Sequence, residues 1–226
     1  MDPRGLSRPG GPQIIPRPDT WAPGPESPWR GIHDPARSLG TDEVLAAVAR
    51  AGGTRPFAPP PGSKPSAVLV ALVDGDLGAE VLLTRRAWHL TNHKGEVSFP
   101  GGRMDPGETP VQTALREAHE EVGLDPALVE IHGELDHLST LVSQSYIVPV
   151  VGRLAEPPEL HASTGEVDRI LFVPLVELAR ADTHREEHWG VPPNRWQIHF
   201  FELDDETIWG ATGRMLAQLL SISYGV

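Results

Sequence analysis

The sequence has no cysteine among its 226 residues. A disulfide framework and a thiolate metal site are therefore excluded. Long hydrophobic runs are also missing: stretches such as Ala67 to Val73 are far shorter than the roughly 20 apolar residues that a helix needs to cross a bilayer. The opening residues, Met-Asp-Pro-Arg-Gly, do not have the charged-then-apolar pattern of a signal peptide. These absences predict a cytoplasmic protein with no membrane partner.

Positive charge is scarce. Lys64 and Lys94 are the only lysines, and the formal net charge is -12 at pH 7. Non-specific binding to nucleic acid relies on a basic surface, so this charge balance argues against DNA or RNA as a partner. A small phosphorylated ligand is still compatible with it, because metal ions or a local arginine cluster can screen the repulsion. The charge therefore favours a small molecule as the partner.

Proline is unevenly distributed and marks the organisation of the chain. Fourteen of the 24 prolines lie in the first 65 residues. Residues 1–40 are rich in proline and glycine and have no helical or strand period, which predicts an extension that is disordered or that wraps the domain through Trp21 and Trp29. Residues 41–65 are expected to form a short helix and a linker, and residues 66–226 the folded domain.

Hydrophobic periodicity predicts alternating strands and helices in the folded part. Thr41 has the character of a helix N-cap, and Gly123 fits the end of the second helix, which starts near Thr109. Strands before, between and after the two main helices predict an α/β fold, in which helices pack on a mixed sheet. The predicted strands are Ala67–Val73, Glu80–Thr84, Leu128–Glu134, Tyr146–Arg153, Ile170–Val173 and Trp196–Leu203, and the predicted helices are Thr41–Gly52, Thr109–Val122 and Gly210–Ser221.

Three glutamates on the second predicted helix are the most informative feature. Glu117, Glu120 and Glu121 have spacings of three and four, which place them on one helix face. Their mutual repulsion would be relieved by hard cations with oxygen ligands, which phosphoryl chemistry uses to neutralise phosphate oxygens. A solvated acidic face is the more common meaning of such a cluster in isolation. A glycine-rich loop, Pro100–Gly102, precedes the helix, and the spacing of the surrounding residues is what favours a site.

The segment from Gly102 to Leu124 resembles the Nudix box. That box runs glycine, five residues, glutamate, seven residues, arginine-glutamate, an apolar residue, any residue, two glutamates, any residue, glycine and an apolar residue. Every defined position is matched, by Gly102, Glu108, Arg116-Glu117, Ala118, Glu120-Glu121, Gly123 and Leu124.

The resemblance implies an α/β/α sandwich and hydrolysis of a nucleotide diphosphate linkage, with Mg²⁺ or Mn²⁺ as cofactor. Glu108 and Arg116 would form a structural ion pair that holds the loop to the helix. Glu166, which lies outside the box, would be an extra metal ligand or a base. A homodimer is compatible with the family. The implied metal ligands are Glu117, Glu120 and Glu121, one of which would assist the attacking water, and the carbonyl of Gly101.

Residues 82–102 resemble the signature of the coenzyme A diphosphatase branch of this family, as does the later segment Ile208–Thr212. The expected products are 4′-phosphopantetheine and adenosine 3′,5′-bisphosphate. One position departs: the signature has an arginine where this chain has Thr91. The candidates to bind the substrate phosphates are Arg85, Arg86, Lys94 and Arg103. The pieces that match the signature are Leu82-Leu83-Thr84, Arg86-Ala87, Gly95 and Phe99-Pro100-Gly101-Gly102.

Several alternatives stay open. The substrate could instead be ADP-ribose, NADH or an oxidised nucleoside triphosphate, or the domain could be a non-catalytic module that binds a nucleotide. Trp88, Trp189 and Trp196 suit a bulky substrate, although core or surface packing is the more frequent role of tryptophan. The segment His184–His188 fits the inverted zinc-protease pattern, but nearby glycine and prolines would end a helix at once. A polar surface loop is predicted there.

Overall fold

The computed structural model describes residues 8–29, 32, 37–52, 58–140 and 143–226. The remaining parts of the predicted extension and linker, residues 1–7, 30–31, 33–36 and 53–57, lie outside the described residues.

The elements alternate along the chain as the hydrophobic pattern predicts. The helices are α1 (Thr41–Arg50), α2 (Pro110–Val122), the single turn α3 (Leu175–Leu178) and α4 (Gly210–Tyr224). The strands are β1 (Ala22–Pro23), β2 (Lys64–Gly75), β3 (Gly78–Arg86), β4 (Val97–Ser98), β5 (Gly101–Arg103), β6 (Val129–Glu134), β7 (Leu138–Ser139), β8 (Ser145–Leu154), β9 (Val167–Pro174), β10 (His184–Val191), β11 (Asn194–Glu202) and β12 (Thr207–Ile208).

A mixed sheet of eight strands forms the centre of the domain. Its path is β4-β3-β2-β8-β6, with β5 on β2, β7 on β8 and β9 on β3. Strands β2 and β8 run parallel, whereas β2 and β3 form the predicted antiparallel hairpin. The predicted mixed sheet is confirmed.

The central strand β2 is apolar on both faces because both faces are covered. Ala67, Leu69 and Ala71 belong to the cluster that includes Ala114 and Ala118 of α2. The residues of β2 that point to the other face, such as Val70 and Leu72, belong to a second cluster. That cluster also contains residues of α1, α4, β11 and β12. The predicted α/β/α arrangement is therefore confirmed, and α2 is held against the middle of the sheet.

A second sheet of four strands, in the order β1-β10-β11-β12, packs beside the first. The N-terminal segment of residues 8–29, here called the strap, runs along it. Gly10 N donates to Leu203 O (2.9 Å), Gly24 N donates to Glu186 O (2.8 Å), and Trp29 is 1% exposed. Trp21 is 41% exposed. The described part of the extension is thus packed on the domain through its backbone, through Trp29 and through side chains such as Arg8, which donates to Glu177 (2.6 Å).

The prediction of a polar surface loop at His184–His188 is wrong. This segment is the first part of β10, and it pairs with β11 over its whole length. His184 and Glu187 are each only 2% exposed. The Glu187 carboxylate accepts hydrogen bonds from Arg17 Nε of the strap (2.9 Å) and from Trp189 Nε1 (2.7 Å). The Glu187 carboxylate can be buried because these donors satisfy it, and His184 Nε2 lies 3.1 Å from His199 Nδ1 on β11.

Within the described ranges, no helix has the length and the apolar character needed to cross a membrane.

Candidate active site

Helix α2 presents the three box glutamates because its ends and its buried face are well defined. Thr109 caps the N-terminus, where its hydroxyl accepts from Gln112 N, and Pro110 occupies the first turn. Gly123 ends the helix with φ 72°, a left-handed conformation that favours glycine. The buried side of the helix carries Ala114, Ala118 and Val122. The three box glutamates lie on the adjoining flank of the helix, where Glu117 and Glu121 face the Gly101–Gly102 segment of β5.

Arg116 joins the preceding loop to the helix. Its guanidinium donates to both oxygens of Glu108, from Nε at 2.7 Å and from Nη2 at 3.0 Å. Nη1 also donates to Glu117 (2.9 Å) and to Glu120 (3.2 Å). The hydrogen bonds from Arg116 lower the pKa of Glu108 to about 2, with help from the backbone N–H of Asp105. Glu108 therefore stays ionised in this pair at neutral pH.

The glycines of the preceding loop allow it to approach the acidic helix. At Gly102, an added Cβ would lie 2.5 Å from the carboxyl carbon of Glu117. The N–H of Gly101 is directed at Glu121 Oε2, 3.4 Å away. Strand β5 holds both glycines against β2, where Gly101 pairs with Val68. Glycine is needed here for a close approach between backbone and carboxylates.

The acidic cluster carries negative charge that the protein compensates only in part. Burial and, after it, the neighbouring charge of Glu117 raise the pKa of Glu121 to about 7, against the N–H of Gly101 and the charge of Arg86. Burial also raises the pKa of Glu117, with Arg116 opposing. Such a site is electrostatically suited to an additional positive charge.

A divalent cation suits this donor set by its chemistry. Carboxylates and a backbone carbonyl are oxygen ligands of the kind that hard cations prefer. In the part of the chain that the structure describes, no three His, Asp or Glu side chains already converge as a cation site. Two of the glutamates are instead turned to Arg116. Small side-chain rotations of Glu117 and Glu120 would therefore accompany the binding of a cation.

Glu166 is brought to the same cluster by a loop that docks on the end of α2. His161 N donates to Val122 O (3.1 Å), and Ser163 N donates to Glu121 O (3.0 Å). Arg86 Nη2 lies 3.2 Å from Glu166 Oε2, and both charges act on the pKa of Glu121. Glu166 and Arg86 therefore lie close enough to influence the charge of Glu121, although they are distant from it in sequence.

The other predicted substrate-binding residues are placed differently. Arg85 donates to Asp168 (2.8 Å) and to Glu206 (2.6 Å), so its guanidinium is occupied by two carboxylates. Lys94 and Arg103 are exposed, and the carbonyl of Arg103 accepts from Arg116. Of the four residues predicted to bind the substrate phosphates, Arg86 is the one that contacts Glu166 and influences the pKa of Glu121.

Glu206 is a buried residue that the sequence did not single out. Its carboxylate is fully buried and accepts from Arg85 Nη1 and Arg169 Nη1 at 2.6 and 2.8 Å. Gln13 of the strap lies against the same carboxylate at 3.5 Å. An acidic residue in a short turn gives no sequence signal of burial, because its partners come from three distant segments.

The fold and site together define a class: an α/β/α enzyme with an acidic helix against a glycine loop. The NUDIX domain profile matches residues 63–206. Nudix hydrolase 3 of Caenorhabditis elegans is 34% identical over 171 residues, which cover 69% of this chain and 71% of the relative. Nudix hydrolase 15, mitochondrial, of Arabidopsis thaliana is 35% identical, covering 71% of this chain and 59% of the relative. The uncharacterised Nudix hydrolase NudL of Enterobacter sp. is 37% identical, covering 68% and 80%.

The chain belongs to the Nudix family, and it is a Nudix hydrolase.

Proposed function

We propose that this enzyme hydrolyses the diphosphate linkage of a nucleoside diphosphate derivative, with coenzyme A or a derivative of it as the substrate. The observation that carries the reaction type is the single helix face with Glu117, Glu120 and Glu121, packed against the Gly101–Gly102 loop. The coenzyme A assignment is supported by the match of residues 82–102 to the branch signature.

The metal ligands in this proposal are the three box glutamates and the carbonyl of Gly101. Mg²⁺ or Mn²⁺ bound there would neutralise diphosphate oxygens and activate a water molecule. Burial raises the pKa of the Glu121 carboxyl group, and the N–H of Gly101 is directed at it. Glu166 supplies the additional carboxylate, as a further ligand or as the base for the attacking water.

Arg86 is the proposed phosphate-binding cation of the protein. Its guanidinium already lies beside Glu166 and the acidic cluster, so a phosphate in the site would be within its reach. The departure from the signature at Thr91 falls in an exposed loop that also carries Lys94. Arg86 and Lys94 are therefore the candidates to replace the missing arginine charge, while Arg85 is held by Glu206 and Asp168.

The test is hydrolysis of separate portions of coenzyme A, ADP-ribose, NADH and 8-oxo-dGTP with Mg²⁺ or Mn²⁺, with products identified by mass. We expect 4′-phosphopantetheine from coenzyme A, and no hydrolysis after the metal is removed with a chelator. Glu121→Gln should lower kcat about 100-fold or more, since even the loss of an outer-shell partner of a metal ligand costs about 10- to 100-fold. Glu130→Gln, at an exposed glutamate on β6, is the matched control and should be unchanged.

The alternative outcomes separate the remaining hypotheses. Hydrolysis of ADP-ribose, NADH or 8-oxo-dGTP in preference to coenzyme A would keep the reaction type and reject the branch. Metal binding by calorimetry with no hydrolysis of any of the four would favour the non-catalytic nucleotide-binding module.

A further inference from the structure

Trp88 directly follows two residues that contact Glu166. Its neighbour Ala87 donates a backbone hydrogen bond to Glu166 O (2.7 Å). The residue before that, Arg86, contacts the Glu166 carboxylate. Trp88 is therefore one residue away from a direct backbone link to the loop that carries Glu166.

The indole of Trp88 is held in place by Gly95. An added Cβ at Gly95 would overlap the six-membered ring of Trp88, with two of the ring carbons at 2.6 Å. The backbone around Gly95 is fixed, since its N–H donates to Arg86 O (3.0 Å) and its carbonyl accepts from Gln13 Nε2 of the strap (2.8 Å). The ring thus rests on a backbone surface that the strap supports from another side.

Part of the Trp88 side chain is available to a ligand, because the residue is 38% exposed although its ring lies against Gly95. A planar aromatic side chain that rests on the backbone and is partly open to solvent has the properties of a stacking platform for a nucleobase. Exposing such a large apolar surface has a hydrophobic cost, which a ligand that covers it would remove.

The other two tryptophans considered as candidates have different surroundings. Trp189 packs against Phe200 and Trp209, with ring centroids 6.1 and 5.9 Å apart. Trp196 is 47% exposed and its ring lies against Gly190, but it belongs to the second sheet, where it pairs with Trp189 across β10 and β11. The contacts of Trp88, by contrast, join it to the loop of Glu166.

We propose that Trp88 is a specificity-determining residue that stacks on the base of the nucleotide substrate, and that Gly95 provides the backbone surface on which its ring packs. This proposal rests on the proposed function, which makes the substrate a nucleotide derivative. It adds which part of that substrate Trp88 would recognise. The site would take an aromatic base attached to a 5′-phosphorylated ribose, and it would discriminate against the same sugar phosphate without a base.

The test measures equilibrium binding of adenosine 5′-monophosphate and of ribose 5-phosphate by calorimetry, with Mg²⁺ present and the full chain in every case. Trp88→Leu should weaken binding of the nucleotide roughly 5- to 150-fold, the range given by base–aromatic stacking of about 1–3 kcal/mol. Binding of ribose 5-phosphate should be unchanged. Trp88→Phe, which keeps an aromatic face, should retain most of the affinity for the nucleotide. Trp196→Leu, at an exposed tryptophan of the second sheet, is the matched control and should bind both ligands as the wild type does.

Three results would overturn the proposal. The first is unchanged nucleotide binding in a folded Trp88→Leu variant. The second is an equal loss for both ligands, which would mean that the side chain only maintains the loop. The third is a wild-type enzyme that binds the two ligands equally. Neither probe contains a diphosphate bond, so binding is measured independently of hydrolysis. A selective loss of nucleotide binding in Trp88→Leu would therefore support the stacking role even if none of the four diphosphate substrates were cleaved. The two proposals can therefore fail separately.

Discussion

Replacing Glu206 by glutamine tests whether its buried carboxylate holds the second sheet against the large sheet. Glu206 is 0% exposed and receives one hydrogen bond each from Arg85 and Arg169, which lie on neighbouring strands of the large sheet. The turn that carries Glu206 belongs to the second sheet. Glutamine keeps the shape of the side chain and one acceptor oxygen, but it removes the negative charge.

The expected loss of unfolding free energy is about 2–4 kcal/mol. Breaking a buried ion pair by removing one partner typically costs about 3–5 kcal/mol, because the other charge is left uncompensated. The cost is reduced here because each arginine keeps a second carboxylate. Arg85 retains Asp168 at 2.8 Å, and Arg169 retains Asp205 at 2.5 Å. Both guanidinium groups also reach solvent, with side chains that are 19% and 37% exposed.

Equilibrium unfolding in urea would measure the loss as a lower midpoint at an unchanged slope. Asp205→Asn is the matched control: its side chain is 62% exposed and it contacts the same Arg169, so a loss below about 1 kcal/mol is expected. The reasoning would be refuted by a loss below about 1 kcal/mol in Glu206→Gln, or by equal losses in the two variants.

Two further predictions concern stability. Gly123→Ala should lower the unfolding free energy by about 1–2 kcal/mol, because a left-handed conformation disfavours residues with a Cβ and the new atom would lie 2.5 Å from the His161 ring. Gly123→Asn should lose less in the same urea titration, since asparagine tolerates this conformation better, and equal losses would contradict that cause. The second prediction is acid sensitivity from His184, whose pKa burial lowers from 6.5 to about 3. Because the folded value is the lower one, the unfolded chain binds the proton first, and stability falls as the pH drops below 6.5. Between pH 6.5 and pH 4 this amounts to roughly 3 kcal/mol. His184→Phe should flatten the pH profile of the urea midpoint by that amount, and a profile parallel to the wild type would exclude His184 as the source.

Much of the large sheet could be predicted from the sequence because its strands are apolar in character and bounded by turn residues. The same holds for α2, whose cap at Thr109 and stop at Gly123 are local signals. Strand β10 could not be predicted in this way. Its buried positions are His184, Glu186 and Glu187, which have no hydrophobic period, and their burial depends on β11 and on the strap.

The candidate site could also be predicted only in part from the sequence. The spacing of Glu117, Glu120 and Glu121 is a local property of one helix, so their common face follows from sequence. The different surroundings of Arg85 and Arg86 do not, because adjacent arginines look alike until their partners are known. Glu206 engages Arg85, and Glu166 contacts Arg86, and both carboxylates are far from the pair in sequence.

The strap also protects an edge. Strand β10 would otherwise end the second sheet, and an unpaired strand edge is a template for pairing with another chain. Ala22 and Pro23 occupy that edge opposite His188 and Glu187, and Pro23 has no N–H to offer on its outer side. A chain without the strap would lose this cover. It would expose β10 together with buried Glu187, and would be prone to self-association through the open strand while α2 kept its place on the large sheet.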